Sequence, residues 1–271
     1  MRCKLCKFNN PKGTVTAVVI KNGALLVLKR NEEPFKGMWD LPGGYMNAGE
    51  MPEQAIRREF KEELGVEPRT CDFIGWFPGT ASWRGVSFAV LSHVYLTETP
   101  RSFALAKKEN IDYRWVSLAA INPETIAFDS NQSVVRLLKE KFMNDYSSLV
   151  RLISQLDSSA VVTEQNLYRS LLNGYMSKKI VNGKLVGAGW IFPRRTFLRK
   201  QAVIEDMIVD ESQRGRGLGK EILFDLLRWA KENGVEVIEL TTNPSRIAAN
   251  ELYKKVGFQF HPTNHYLYRV I

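Results

Sequence analysis

Cysteine is nearly absent from this chain: Cys3, Cys6 and Cys71 are too few, and odd in number, for the disulfide framework of a small secreted domain. Long apolar runs are missing as well. The longest, such as residues 14–20, have strand length, well short of the ~20 residues that a bilayer-spanning helix needs. The first residues, Met-Arg-Cys-Lys-Leu-Cys-Lys-Phe, are basic, yet no apolar segment follows them as a signal peptide requires. A reducing cytoplasm is therefore the expected compartment, with no membrane partner. No Lys/Arg run interleaved with exposed aromatics occurs, so specific nucleic-acid binding is not expected.

What is present describes a globular protein. Hydrophobic residues make up 44% and charged residues 25%, which excludes disorder on the scale of the whole chain. The formal net charge of +9 is spread along the sequence and favours anionic ligands such as phosphates. With 271 residues the chain has room for two domains.

Residues 14–20 and 24–28 read as strands joined at a Lys21-Asn22-Gly23 turn. A Gly/Pro-rich loop covers residues 34–49, and Pro52 then opens a helix that runs to Leu64 and stops at Gly65. Strands are predicted at 71–77, 85–96 and 112–116, and a helix at 132–142. The pattern then restarts with helices at 146–156 and 164–172 and a hairpin, 180–181 with 185–192, around Asn182-Gly183. A strand at 202–209, a helix at 218–233, a strand at 235–242, a helix at 247–255 and a final strand at 258–270 complete it. Strands alternating with helices in both halves predict two α/β domains of the α+β type, 1–143 and 144–271.

Chemistry concentrates on the helix after Pro52. Ile56, Phe60 and Leu64 recur every fourth residue as a core stripe, while Glu59, Glu62 and Glu63 stand at i, i+3 and i+4 on an adjoining face. Like charges at that spacing repel by roughly 0.2–0.5 kcal/mol per pair. A hard divalent cation with oxygen ligands would offset the repulsion. Taken alone the run also fits a solvated acidic face, with Arg58 pairing Glu62.

The surrounding residues extend the pattern. The string from Gly44 through Glu50 and Arg58-Glu59-Phe60-Lys61-Glu62-Glu63-Leu64-Gly65-Val66 resembles the Nudix box G-x5-E-x7-R-E-U-x-E-E-x-G-U at every fixed position. Trp39-Asp40-Leu41-Pro42-Gly43-Gly44 is similar to the lead-in of that family. The resemblance implies an α/β/α sandwich with a mixed sheet and hydrolysis of a nucleoside diphosphate derivative: an ADP-ribose-like compound, a dinucleotide or a (d)NTP. It further implies that Glu59 and Glu63 ligate Mg²⁺ or Mn²⁺, and that Glu62 completes the metal cluster or orients the water. Gly44 would bring its backbone to the metal, Glu50 would pair with Arg58 in a structural role, and Glu109, six residues before Trp115, would act as base or ligand. Phe35, Trp39, Trp76 and Trp83 could stack on a base or pack in the core.

Cys3-x-x-Cys6 forms half of a zinc ribbon, and the following Asn10-Pro11 resembles NADH pyrophosphatases of the same family. No second C-x-x-C exists to complete four ligands, so residues 1–12 are read as a degenerate remnant and zinc is not expected unless a homodimer supplies the rest. The S-Q-P-W-P-F-P-x-S tract of those pyrophosphatases is missing too, which argues against NADH as substrate.

In the second half, Arg214-Gly215-Arg216-Gly217-Leu218-Gly219-Lys220 lies between a strand and a helix, where glycine backbones can turn N–H groups towards a phosphate. It fits neither a P-loop nor a dinucleotide fingerprint. The string R-x-x-G-x-G, with residues 204–209 before it and 250–258 after it, resembles the GNAT N-acetyltransferases over most of 146–271. That resemblance implies acetyl-CoA as cofactor and a small amine as acceptor. The backbone of Met207, Ile208 and Val209 would pair with the pantetheine arm, residues 214–220 would hold the pyrophosphate, and Asn250 would also contact the cofactor. Tyr253 would protonate the departing thiolate and Glu205 would deprotonate the amine. Strand alternation lets only one of Glu205 and Asp206 face a cleft, and the sequence does not choose between them. The expected whole is a bifunctional enzyme; the rival is a Nudix hydrolase regulated by an acetyl-CoA-sensing GNAT domain without turnover.

Overall fold

A computed structural model describes residues 10–100, 102–106, 109–142, 146–264, 266 and 268. The Cys3–Cys6 motif and part of the predicted domain junction lie outside them. Chain contacts divide the protein into two compact units, with the break between Tyr175 and Met176.

The first unit is built on a seven-stranded mixed sheet in the order β3-β2-β1-β6-β5, with β4 added to β1 and β7 to β2. Its strands are β1 (Lys12–Lys21), β2 (Ala24–Arg30), β3 (Trp39–Asp40), β4 (Gly43–Tyr45), β5 (Cys71–Trp83), β6 (Val86–Thr97) and β7 (Asn110–Ser117). β1 runs parallel to β6 and antiparallel to β2 and β4. Its continuous apolar run follows from burial on both faces. One face sends Val15, Ala17 and Val19 against Ile56, Phe60 and Leu64 of α1 (Pro52–Leu64), a fully buried cluster. From the other face Thr16 bonds Ser92 and Asn131, the latter on α2 (Asp129–Lys141), whose Val134, Val135 and Leu138 are buried. The sheet thus lies between α1 and α2.

Two further helices, α3 (Tyr146–Leu156) and α4 (Glu164–Leu172), belong to this unit. Glu164 accepts both backbone N–H groups of the Asn22-Gly23 turn, at 2.7 and 2.6 Å. Arg169 donates to Asp72 at 2.6 Å and lies 3.5 Å from Glu98. Tyr168 is fully buried against Phe142. The unit thereby extends past residue 143, where the sequence pattern restarts.

The second unit carries a four-stranded sheet, β11-β10-β9-β8. It contains β8 (Tyr175–Val181), β9 (Lys184–Arg195), β10 (Lys200–Val209), α5 (Leu218–Glu232), β11 (Val237–Leu240) and α6 (Ile247–Val256). β9 and β10 are antiparallel, β10 and β11 parallel. α5 buries Ile222, Leu223 and Leu226, and Ile222 lies over Gly187 and Gly189 of β9, where a Cβ would meet it at 3.0 and 2.6 Å. The Asn22-Gly23 and Asn182-Gly183 hairpin turns have positive φ at both residues, which matches strand twist.

The final strand predicted at 258–270 does not form among the described residues. Phe260, Tyr266 and Tyr268 remain at least 82% exposed, and Pro262 offers no N–H to a ladder. An aromatic-rich tail reads as a strand by composition, yet these side chains bury nothing that would hold one.

Candidate functional sites

The carboxylates of α1 differ sharply in environment. Glu59 and Glu63 are buried, at 7% and 8% exposure, whereas the Glu62 side chain is 58% exposed. Glu63 accepts the backbone N–H of Gly43 at 2.8 Å through one oxygen and the Asn110 side-chain amide at 2.8 Å through the other. Burial raises its pKa to about 8, with Glu59 and Asp40 adding to the rise against those two hydrogen bonds. Burial likewise raises the pKa of Glu59, and Glu62 and Glu109 contribute in the same direction. Glu109 is itself exposed, in the turn before β7, and its backbone carbonyl accepts from Asn31 at 2.8 Å.

Arg58 holds the surrounding loop. It donates to both oxygens of Glu50, at 2.8 and 2.9 Å, to Glu59 at 2.8 Å, to Glu62 at 3.1 Å and to the carbonyl of Tyr45 at 2.9 Å. The Arg58 pairing, more than any other cause, lowers Glu50 to about 2, and donating to Glu50 in turn raises the pKa of Arg58. Both pairings that the sequence suggested, Glu50 and Glu62, are therefore made by one guanidinium. Among the described residues no three acidic, histidine or cysteine side chains are gathered as a ready ligand cluster. Glu59 and Glu62 meet at Arg58, while Glu63 turns to Gly43 and Asn110.

The glycine turn determines how closely the sheet approaches this helix. A Cβ on Gly44 would lie 2.5 to 2.6 Å from the carboxyl atoms of Glu59, and one on Gly43 2.1 Å from the Val15 carbonyl. Gly44 is therefore a cradle around a carboxylate that a side chain would fill. Two buried carboxylates, hard oxygen donors under mutual repulsion, have the chemistry to take a divalent cation. Asp40, which sequence reasoning did not single out, is buried nearby. It accepts from Arg30, Asn131 and Leu41 N, and burial raises it to about 6. Asn110 was missed as well, because its reach to Glu63 across 47 positions has no local signature.

In the second unit, a cavity of about 640 Å³ is lined by Met207, Ile208, Val209, Arg214, Gly215, Gly217, Leu218, Gly219, Lys220 and Tyr253, all singled out from the sequence. Arg216, Glu205 and Asn250 are not part of its lining. The Asn250 amide instead donates to the carbonyls of Asn243 and Arg246 at the start of α6. Gln213 and Arg246 line it without having been predicted, and so does Ser245, from a segment that the sequence leaves open between a site contact and a helix start.

Local backbone geometry explains the shape. The β9–β10 ladder shifts register between Glu205 and Ile208, and Asp206 takes φ 51, so a bulge interrupts the strand. Pairing of β10 with β11 ends at Ile204 and Leu240, leaving Met207–Val209 backbone beside the cavity. The bulge also cancels simple alternation: Glu205 is half-buried and Asp206 exposed, though partial desolvation raises the pKa of Asp206. Gly217 caps α5 in the left-handed region, φ 80, so that the first turn of α5 opens on the cavity. Tyr253 is 6% exposed, and burial raises its phenol pKa while Arg246 opposes the rise.

Comparison with known proteins gives two family matches. The NUDIX domain model matches residues 11–138, and the acetyltransferase (GNAT) family model matches residues 140–258. The ADP-ribose pyrophosphatase of Methanocaldococcus jannaschii is 39% identical over 66 residues, 24% of this chain and 39% of that protein. The uncharacterized N-acetyltransferase YobR of Bacillus subtilis is 36% identical over 67 residues, 25% of this chain and 26% of that protein. The chain thus spans well under half the length of either relative. A solved structure, the MutT NUDIX hydrolase from Burkholderia pseudomallei, is 21% identical with a TM-score of 0.41, covering 49% of this chain and 99% of that one. No helix among the described residues is long and apolar enough to cross a membrane.

Proposed function

We propose, from the premise that this chain joins a Nudix domain at residues 11–138 to a GNAT acetyltransferase domain at residues 140–258, that it is a bifunctional enzyme. The first domain hydrolyses a nucleoside diphosphate derivative with Mg²⁺ or Mn²⁺, and ADP-ribose-like compounds head the candidates because one relative bears that name. The second transfers acetyl from acetyl-CoA to a small amine. The domain junction is proposed near residue 143.

The observation that carries the hydrolase reading is the buried Glu59–Glu63 pair against the Gly43-Gly44 turn. Glu59, Glu63 and Glu62, with the Gly44 backbone, would hold the cation. When bound, the cation neutralises phosphate charge and lowers the pKa of a water. Asn110 and the Gly43 N–H orient the Glu63 carboxyl, Arg58 fixes the loop through Glu50, and Glu109 accepts the proton of the attacking water. The bond broken is a phosphoanhydride, and the oxygen added comes from water.

In the transferase, the Met207–Val209 backbone that borders the cavity would pair with the pantetheine arm, and residues 214–220 would hold the pyrophosphate. Acetyl-CoA supplies an activated acyl group. Glu205 takes the proton that the amine loses, and Tyr253 delivers one to the departing sulfur. Mg²⁺-dependent conversion of ADP-ribose, dinucleotides and oxidised dNTPs, read as the nucleoside monophosphate formed, tests the first activity; no turnover across the panel refutes it. Thiol release from acetyl-CoA with and without small amines tests the second, and binding without turnover would make that domain a sensor.

A further inference from the structure

Among the described residues, the cavity of the second unit is lined by three cations and by no acidic side chain. Two of them are Arg214, in the loop before α5, and Lys220, in the first turn of α5; Arg214 bonds the Val209 carbonyl at 3.1 Å. The third, Arg246, comes from the opposite wall at the start of α6. Its guanidinium reaches β10 and donates to the Met207 carbonyl at 3.1 Å. Tyr253 follows seven residues later, two turns along, and lines the same cavity.

Two other half-buried cations have counter-charges: Lys179 meets Asp225 and Glu221, and Arg169 meets Asp72 and Glu98. Lys139 and Lys141 instead meet backbone carbonyls, and neither lines this cavity. Among the described residues no carboxylate pairs with Arg246, and one backbone carbonyl occupies one of its five N–H donors. A half-buried guanidinium without an anion is unfavourable until something supplies one. Met207 and Val209 are two positions apart on an extended strand, about 6–7 Å, so Arg246 and Arg214 address different parts of a ligand.

We propose that Arg246 is the receptor for a carboxylate of the substrate, held in the cavity that Met207 and Tyr253 also line and distinct from the phosphate-binding loop. This rests on reading the cavity as an acyl-CoA site. The planar fork of arginine suits a carboxylate, which has two sources: a dicarboxylic acyl chain on the coenzyme, or an amino acid as acceptor.

Calorimetry on the full chain separates them. CoA, acetyl-CoA and succinyl-CoA are titrated first. Amino acids against their decarboxylated amines are then titrated into protein saturated with CoA. Wild type should prefer the carboxylated member of one pair by about tenfold or more. Arg246→Gln should lose that preference while keeping CoA affinity within about twofold, and Arg246→Lys, a second variant retaining charge without the fork, should keep part of it. Equal affinities in both pairs would overturn the proposal. So would a tenfold loss of CoA affinity in Arg246→Gln, which would assign the guanidinium to the coenzyme phosphates. If wild type binds no CoA at all, the reading of the cavity fails first; CoA binding without preference fails this inference alone.

Discussion

Glu63→Gln should leave the first unit inactive yet make it more stable when no cation is present. The wild-type carboxyl is buried, with its pKa raised from 4.5 to about 8. Each pKa unit is worth 1.36 kcal/mol, so the full penalty above pH 8 is about 5 kcal/mol. At pH 7 the folded state takes up a proton instead, and the cost is limited to about 3 kcal/mol. Glutamine removes the charge and can keep both contacts: its oxygen accepts from Gly43 N, and its NH₂ donates to Asn110 once that amide turns over. Because the folded state binds more protons than the unfolded one between pH 4.5 and about 8, wild-type stability falls as pH rises through that window. The gain from the variant should follow the same window, near zero at pH 4.5 and greatest above pH 8.

Thermal unfolding in EDTA across pH 4.5–8.5 measures this. A difference of about 3 kcal/mol near pH 7 corresponds to roughly 6–12 °C for a unit of this size. Added Mg²⁺ should raise the wild-type midpoint much more than that of the variant, since only the carboxylate gains a counter-charge. Mg²⁺-dependent turnover of the variant should fall about a hundredfold or more. A variant that melts below wild type at pH 8 in EDTA would refute the reasoning. A gain equal at pH 5 and pH 8 would do the same, because burial would then not be what the carboxylate suffers.

Gly44→Ala places a methyl within 2.6 Å of the Glu59 carboxyl, so phosphohydrolysis should drop at least tenfold with a raised Mg²⁺ requirement, read from a metal titration of the rate. Gly217→Val forces a β-branched residue into φ 80 at the start of α5; acetyl-CoA affinity should fall tenfold or more, with about 1–3 kcal/mol of stability lost, by calorimetry and melting. Tyr253→Phe keeps the packing against Phe258 and removes only the hydroxyl, so acetyl-CoA should bind within about twofold while thiol release slows ten- to a hundredfold. A matching loss of affinity would make Tyr253 a packing residue.

How far the sequence can be read depends on how local each feature is. The α1 boundaries, its Ile56-Phe60-Leu64 stripe and the two Asn-Gly turns follow from neighbours a few residues apart, and all are found. The three-residue β4 and the two-residue β3 are too short for any periodicity, and only pairing with β1 and β2 defines them. β8 was read only at its end, because Ser177, Lys178 and Lys179 break the apolar pattern while Ser177 and Lys179 bond Asp225 on α5. Among the described residues of 258–270 the predicted strand is missing for the converse reason: Phe260, Tyr266 and Tyr268 are aromatic in composition yet exposed.

Both sites follow the same division. Motif glycines are legible because their backbone role acts at one position: Gly44 clears space for Glu59, and Gly217 turns the chain into α5. The groups that set the electrostatics arrive from far away in sequence. Asn110 orients Glu63, Asp40 helps to raise its pKa, and Arg246 joins Met207 across 39 positions. A motif therefore identifies the reaction centre, since chemistry needs a few atoms in fixed geometry. Selectivity depends on what else reaches that centre, and Arg246 is such a group: ordinary in sequence, and without a counter-charge among the described residues once the fold places it in the cavity.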